Sequence, residues 1–295
     1  MDKTQILWSP AGQNLPSLGA RALTDISDGD TPNIRMPIRM LSIDTPEVTA
    51  RSERGAARVD AKFAQLALWI KAGKAPVSRA FSRHILPKLE DVAGGTLQYL
   101  QGKHASAYHQ QIVDQRLTKP SGSKRKLFIR SAEQPFDTYG RLLAYISPSY
   151  SAKERAAMTR RERASFNLDM LESGWAAPFI LFPTIPGELD LPLLIEVSVA
   201  AKDEKRGQYV NALSMPGYEY RMCEKLYNIT KKLVAGDDMR YSLQLGWRSR
   251  YCADMRQRNL HKPEDYMQVP EPYRLWIWPE DVQESIGALN LVPVT

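Results

Sequence analysis

The 295-residue chain carries 40 Lys and Arg against 33 Asp and Glu, a formal net charge of +7 at pH 7. That excess favours polyanionic partners such as nucleic acid, although basic proteins that never meet nucleic acid are also common. No stretch approaches the roughly 18–20 uninterrupted apolar residues of a membrane helix, and the two cysteines, Cys223 and Cys252, have neither the spacing of a metal site nor that of a disulfide framework.

Taken in order, residues 1–20 read as coil or a first strand. Asp28-Gly29-Asp30-Thr31 is a turn signal. Asn33 to Ile43 reads as a strand interrupted by Pro37, which marks a sheet edge or a hairpin bend. Pro46 ends it and forces an extended or turn geometry on Thr45. From 52 to 72, Ala56, Val59, Phe63, Leu66 and Ile70 recur at three- and four-residue steps, the pattern of a helix with one buried face. Pro76 closes it. Residues 77–115 continue as helix, broken by Pro87 and by Gly94-Gly95. Lys119 to Lys126 is a basic polar loop, Leu127-Phe128-Ile129 a short strand, Phe136 to Arg141 a hairpin turn, and Leu142 to Ile146 a buried strand.

Ser151 to Gly174 reads as one helix with a basic first half and Gly174 as its C-cap. Pro178 to Pro192 holds four prolines and is not regular helix. Further helices are expected at 193–206 and 217–235. Residues 240–260 mix arginines with aromatics. A Pro- and Trp-rich stretch, Val269 to Pro279, precedes a last short helix, and Trp276 and Trp278 flank Ile277 as in a half-buried strand.

The chemistry-bearing residues cluster in three places. An acidic turn holds Asp30. Arg39 begins an apolar run that delivers Asp44-Thr45-Pro46-Glu47 into a turn. About a hundred residues on, Asp137-Thr138-Tyr139-Gly140-Arg141 opens a second apolar run. Guanidinium forks match phosphate oxygens in pairs and stabilise extra charge in a transition state. Arginine holds its proton too firmly to act as an acid. Carboxylates suit a hard cation or a general base. Together these types point to cleavage of a phosphodiester.

In order and in residue type, these three motifs resemble those of the staphylococcal nuclease (thermonuclease) family. Asn167 to Ala177 is similar to the helix that follows the second arginine strand in that family. The resemblance covers roughly residues 20–207, excluding an insertion at about 76–123. It implies an α+β fold, a small five-stranded OB-type β-barrel with helices packed on it, here carrying a helical insertion and a C-terminal region. The expected division is 1–208 for the barrel domain and 209–295 for a helical and aromatic extension.

The resemblance also implies a calcium-dependent nuclease of low sequence specificity that leaves 3′-phosphate ends. Asp30, Asp44 and the Thr45 carbonyl would hold calcium or another divalent metal. Arg39 and Arg141 would grip phosphate, and Glu47 would activate the attacking water. Tyr139 and Asp137 would contact the nucleotide.

The pattern departs from the family in places. Thr138 stands where its best-known member carries lysine. Ile180 and Phe182 lie near the positions of two expected tyrosines. Asp44 also suits a turn cap before Pro46, and Asp137 suits a hairpin. Taken singly, Arg39 and Arg141 also read as strand-end arginines in ion pairs. Trp247, Arg248, Arg250, Tyr251, Arg256 and Arg258 have the composition of a single-strand-binding surface. They equally suit an amphipathic helix with its aromatics turned inward. His104 and His109 read as surface histidines.

The expected protein is thus a cytoplasmic nuclease acting on DNA or RNA, single strands favoured, with no membrane association. Residues 209–295 would serve a homo-oligomer or a protein partner. The alternatives are a nucleic-acid-binding module that does not cut, and a regulated component of a defence or stress complex.

Overall fold

A computed structural model describes residues 20–294; the expected coil or first strand at 1–20 falls almost wholly outside them. In chain order come β1 (Ala22–Asp28), β2 (Thr31–Arg35), β3 (Ile38–Met40), β4 (Ser42–Asp44), α1 (Glu53–Lys71), α2 (Arg79–Glu90) and α3 (Gly94–Leu117). Then follow β5 (Leu127–Phe136), β6 (Leu142–Pro148), α4 (Ala152–Ala157), α5 (Phe166–Glu172), β7 (Ala177–Leu181), α6 (Asp190–Asp203), α7 (Gly217–Val234) and α8 (Tyr241–Gln244). The chain finishes with β8 (Tyr251–Asp254), β9 (Asn259–His261), β10 (Arg274–Ile277), α9 (Val282–Leu289) and β11 (Val292–Pro293).

The class is mixed α+β. The described strands form open sheets in the orders β1-β2, β3-β6-β5 and β11-β9-β8-β10-β7-β4, and none of these closes on itself. The chain makes two compact units: residues up to Arg39 with Arg130–Ala144, and Met40–Ile129 with Tyr145–Thr295. In the first, β1 pairs antiparallel with β2, and the Asp28–Thr31 turn joins them.

The second unit is built on three apolar clusters. In one, α1 presents Val59, Phe63, Leu66 and Ile70, α2 presents Phe81, Ile85 and Leu89, and α7 presents Tyr218, Met222 and Leu226. All of the last three lie within one face of α7, as the helical period requires. Trp247, Tyr266 and Trp276 complete this cluster. A second joins Ile43 of β4 to Ala105 of α3, Leu171 of α5 and Leu194 of α6. The third lies where β7, β8, β9 and β10 meet α9. The six-stranded sheet therefore joins β4 and β7 to strands from beyond residue 208.

Several elements differ from their sequence reading. Pro87 lies inside the last turn of α2 rather than breaking it. The expected helix over 151–174 is two, α4 and α5, because Ser165 caps a new start by accepting from the Leu168 N–H. β10 is buried on both faces rather than half-buried, because Trp276 packs into the first cluster and Leu275 and Ile277 into the third. α3 has no capping side chain of its own. Asp60 of α1 replaces one, accepting from Gly95 N at 2.6 Å and Thr96 N at 3.0 Å.

Both cysteines are buried free thiols, raised by burial, Cys252 to about 12. No helix among the described residues is long and apolar enough to cross a membrane.

Candidate functional site

In the first unit, the turn Asp137–Arg141 is organised by one carboxylate. Asp137 Oδ1 accepts from the backbone N–H of Tyr139 and of Arg141, both at 2.9 Å. Its Oδ2 accepts from Arg141 Nε and Nη2, both at 2.7 Å. Burial works against the carboxylate's charge, but the Arg141 N–H, its guanidinium and the Tyr139 N–H outweigh it and hold the Asp137 pKa down. The chain reverses here because Gly140 takes φ of +69°, a conformation that costs glycine little. Arg141 lies 5.3 Å from the centroid of the Tyr139 ring, which is itself exposed. Arg21 locks the turn from outside, its Nη2 donating to the Gly140 carbonyl at 2.6 Å.

Arg39 ends its part of this unit on β3. Asp30 sits in the exposed β1–β2 turn, where its Oδ1 accepts from the Thr31 hydroxyl at 3.2 Å.

In the second unit, β4 carries Asp44 to the turn that holds Thr45 and Glu47. β4 pairs antiparallel with β7, with Asp44 opposite Ala177. At its start Ser42 has φ of +60° and hydrogen-bonds Tyr145 at 2.5 Å. Asn167 of α5 is fully buried; it donates to the Leu41 carbonyl at 2.8 Å and accepts from Ile146 N at 3.2 Å. The trailing helix thus pins the root of β4.

α3, inside the expected insertion, buttresses the turn itself. With its amide oriented to suit its neighbours, Gln98 accepts from the Glu47 N–H at 2.9 Å and donates to the Met215 carbonyl at 3.0 Å. A Cβ on Gly102 would stand 2.9 Å from the Pro46 carbonyl oxygen and 2.8 Å from Val48.

The largest feature that sequence reasoning missed is Arg221, on α7. Its Nη2 donates to both oxygens of Asp44, at 3.1 and 3.0 Å, and its Nη1 donates to Glu47 Oε1. Asp44 is 1% exposed. Burial opposes the charge on Arg221, but Asp44 and Glu47 raise its pKa. Little in the sequence signals this ion pair, since Arg221 follows Asp44 by 177 residues. The weak clue is its place one turn into a helix, past a glycine that allows close approach.

A Cβ at that Gly217 would lie 2.6 Å from the Thr45 carbonyl oxygen and 2.7 Å from Asp44 Oδ2. Gly217→Ala is therefore expected to shift α7 from the turn and lower stability by about 1–3 kcal/mol, the usual cost of overpacking. Urea unfolding of the two proteins measures this.

Comparison with protein-family models and with curated proteins gives no match.

The resemblance drawn from the motifs implies a divalent metal at Asp30, Asp44 and Thr45. No group of three His, Cys, Asp or Glu side chains among the described residues is placed to hold a metal. Asp44 and Glu47 instead share one guanidinium.

Proposed function

We propose that the chain is a nuclease of the thermonuclease type, hydrolysing phosphodiester bonds of DNA or RNA with little regard to sequence. One observation carries the reading. Glu47 is held in place by α3 through Gln98 and by α7 through Arg221. Its carboxylate stays partly exposed at 21%, and its second oxygen makes no hydrogen bond among the described residues. A carboxylate fixed at one oxygen and open at the other can take a proton from water.

In this mechanism Glu47 accepts that proton as the water oxygen bonds to phosphorus. The P–O5′ bond breaks, so the products are a 3′-phosphate and a 5′-hydroxyl that takes its proton from solvent. Arg39 and Arg141 bind the phosphate and stabilise the charge of the five-coordinate state. Asp137 sets the Arg141 fork from behind, and Tyr139, exposed beside it, contacts the nucleotide. The OB-type barrel belongs to the same proposal. It is supported by the succession of a hairpin, an arginine strand, an acidic turn, a helix, a second hairpin and a trailing helix.

Calcium dependence is carried by the family resemblance alone, and no step above runs through the ion. Purified protein is expected to degrade labelled single-stranded DNA with calcium present and to stop on addition of a chelator. Cutting that continues in chelator removes the metal from the proposal and keeps the nuclease. Binding without cutting under any divalent metal favours the non-catalytic module.

A further inference from the structure

Arg58 and Lys62 stand one turn apart on α1, both exposed. With Thr49, Gly55 and Glu224 they line an open pocket of about 280 Å³. Glu224, half-buried on α7, lies close enough to Glu47 to feel its charge. Burial raises the Glu224 carboxyl, Lys62 opposes that, and the charge of Glu47 adds to it. Thr49, two residues after Glu47, lines the pocket, which places it near the proposed general base.

The next residue on α7, Lys225, is exposed and lies one turn past Arg221. Beside them is Arg250, just before β8. Its guanidinium lies 4.9 Å from the centroid of Phe179, 5.0 Å from Trp278 and 5.7 Å from Trp276. Its Nε is shielded from solvent and has no acceptor. Burial lowers Lys225, and Arg250 and Arg221 lower it further. Burial and Arg221 bring Arg250 down to about 10.

None of the ion pairs among the described residues involves Arg58, Lys62, Lys225 or Arg250. The neighbouring tail arginines Arg248 and Arg256 are paired, with Glu264 and Asp254. Glu224 stands with Lys62, and Asp44 acts on Arg250, but Lys225, Arg250 and Arg221 disfavour one another's charge, and an anion laid along them offsets that. A buried N–H donor without an acceptor is a second deficit of the same sign.

We propose that α1, α7 and the segment before β8 form a phosphate track for a single strand of nucleic acid. Arg58 and Lys62 hold one phosphate in the pocket, and Lys225 and Arg250 hold another beyond Arg221. The track rests on the nuclease reading, since it leads the strand past Glu47. A flexible single strand can turn one phosphate into so small a pocket, whereas a rigid duplex cannot.

The test is fluorescence anisotropy of a labelled mixed-sequence oligodeoxyribonucleotide, with the full chain in chelator so that cleavage does not enter. The double variant Lys62→Gln/Lys225→Gln changes only exposed side chains. It is expected to bind about tenfold more weakly at low salt, with a log–log salt slope shallower by about 1.4, two contacts at about 0.7 each. Arg250→Gln, checked for native melting, is expected to act in the same direction.

An unchanged affinity and slope in the double variant overturns the track. So does an equal loss of binding to a poly-glutamate peptide, which would mark a generic anion surface. Cleavage by the wild-type chain is read separately. If the slope falls but the wild type does not cut, the track stands and the nuclease reading falls.

Discussion

Glu47→Gln is expected to lower the rate of single-strand cleavage by about 10²–10⁴-fold, the usual contribution of a positioned general base. The substitution keeps size and shape but removes the ability to take the proton, together with the negative charge paired with Arg221. The amide oxygen it introduces can still accept a hydrogen bond from Arg221, so the turn is held. Arg141→Ala is expected to cost on the order of 3 kcal/mol of transition-state stabilisation, or about 10²–10³ in kcat, by analogy with a lost oxyanion donor. Because that loss falls on the transition state, kcat and kcat/KM should drop together while KM changes little. Initial rates over a range of oligonucleotide concentrations separate the two parameters. A rise in KM with kcat intact would make Arg141 a binding residue only.

The largest stability effect is expected at Glu219, far from Glu47 in role though on the same helix as Arg221. Glu219 is fully buried in α7. Its Oε1 contacts His84 at 2.6 Å and accepts from the Tyr266 hydroxyl, and Lys88 donates to its Oε2. Burial alone would raise the carboxyl, but Lys88 and His84 outweigh it and hold the pKa far below the usual carboxylate range. Glu219→Ala leaves Lys88 and His84 partly buried without their anion, which typically costs about 3–5 kcal/mol.

The pH dependence follows from the same depression. The stabilisation is fully present above the unfolded carboxylate pKa of about 4.3 and is lost as pH falls toward the folded value. Urea unfolding at neutral pH should show the full deficit in Glu219→Ala. Below about pH 4 the gap between wild type and variant should narrow. A gap that stays constant to strongly acid pH would show that packing, not the ion pair, sets it.

The repeating apolar steps of α1 and α7 were legible because each helix buries one face. The acidic and arginine turns were legible because turn chemistry is local: Gly140 and Asp137 act within four residues of Arg141. What escaped was non-local. Arg221 meets Asp44 and Glu47 only because α7 docks its N-terminal glycine on their turn. Ser165 divides one expected helix into two through a single cap. The tail's two readings also separate only in three dimensions. Trp247 is wholly buried, and Arg248 and Arg256 are ion-paired, while Arg250 lies over aromatic rings and makes none of the ion pairs among the described residues. A strand-only reading of residues beyond 250 would not have placed them in one sheet with β4 and β7, since that pairing depends on β10 lying parallel to β7.

The most direct measurement is the end chemistry and rate of cleavage of a labelled single strand by wild type and Glu47→Gln, at matched melting temperature. The account predicts 3′-phosphate products from the wild type and a rate at least about a hundredfold lower in the variant. Equal rates in the two proteins, or 5′-phosphate products, would contradict it.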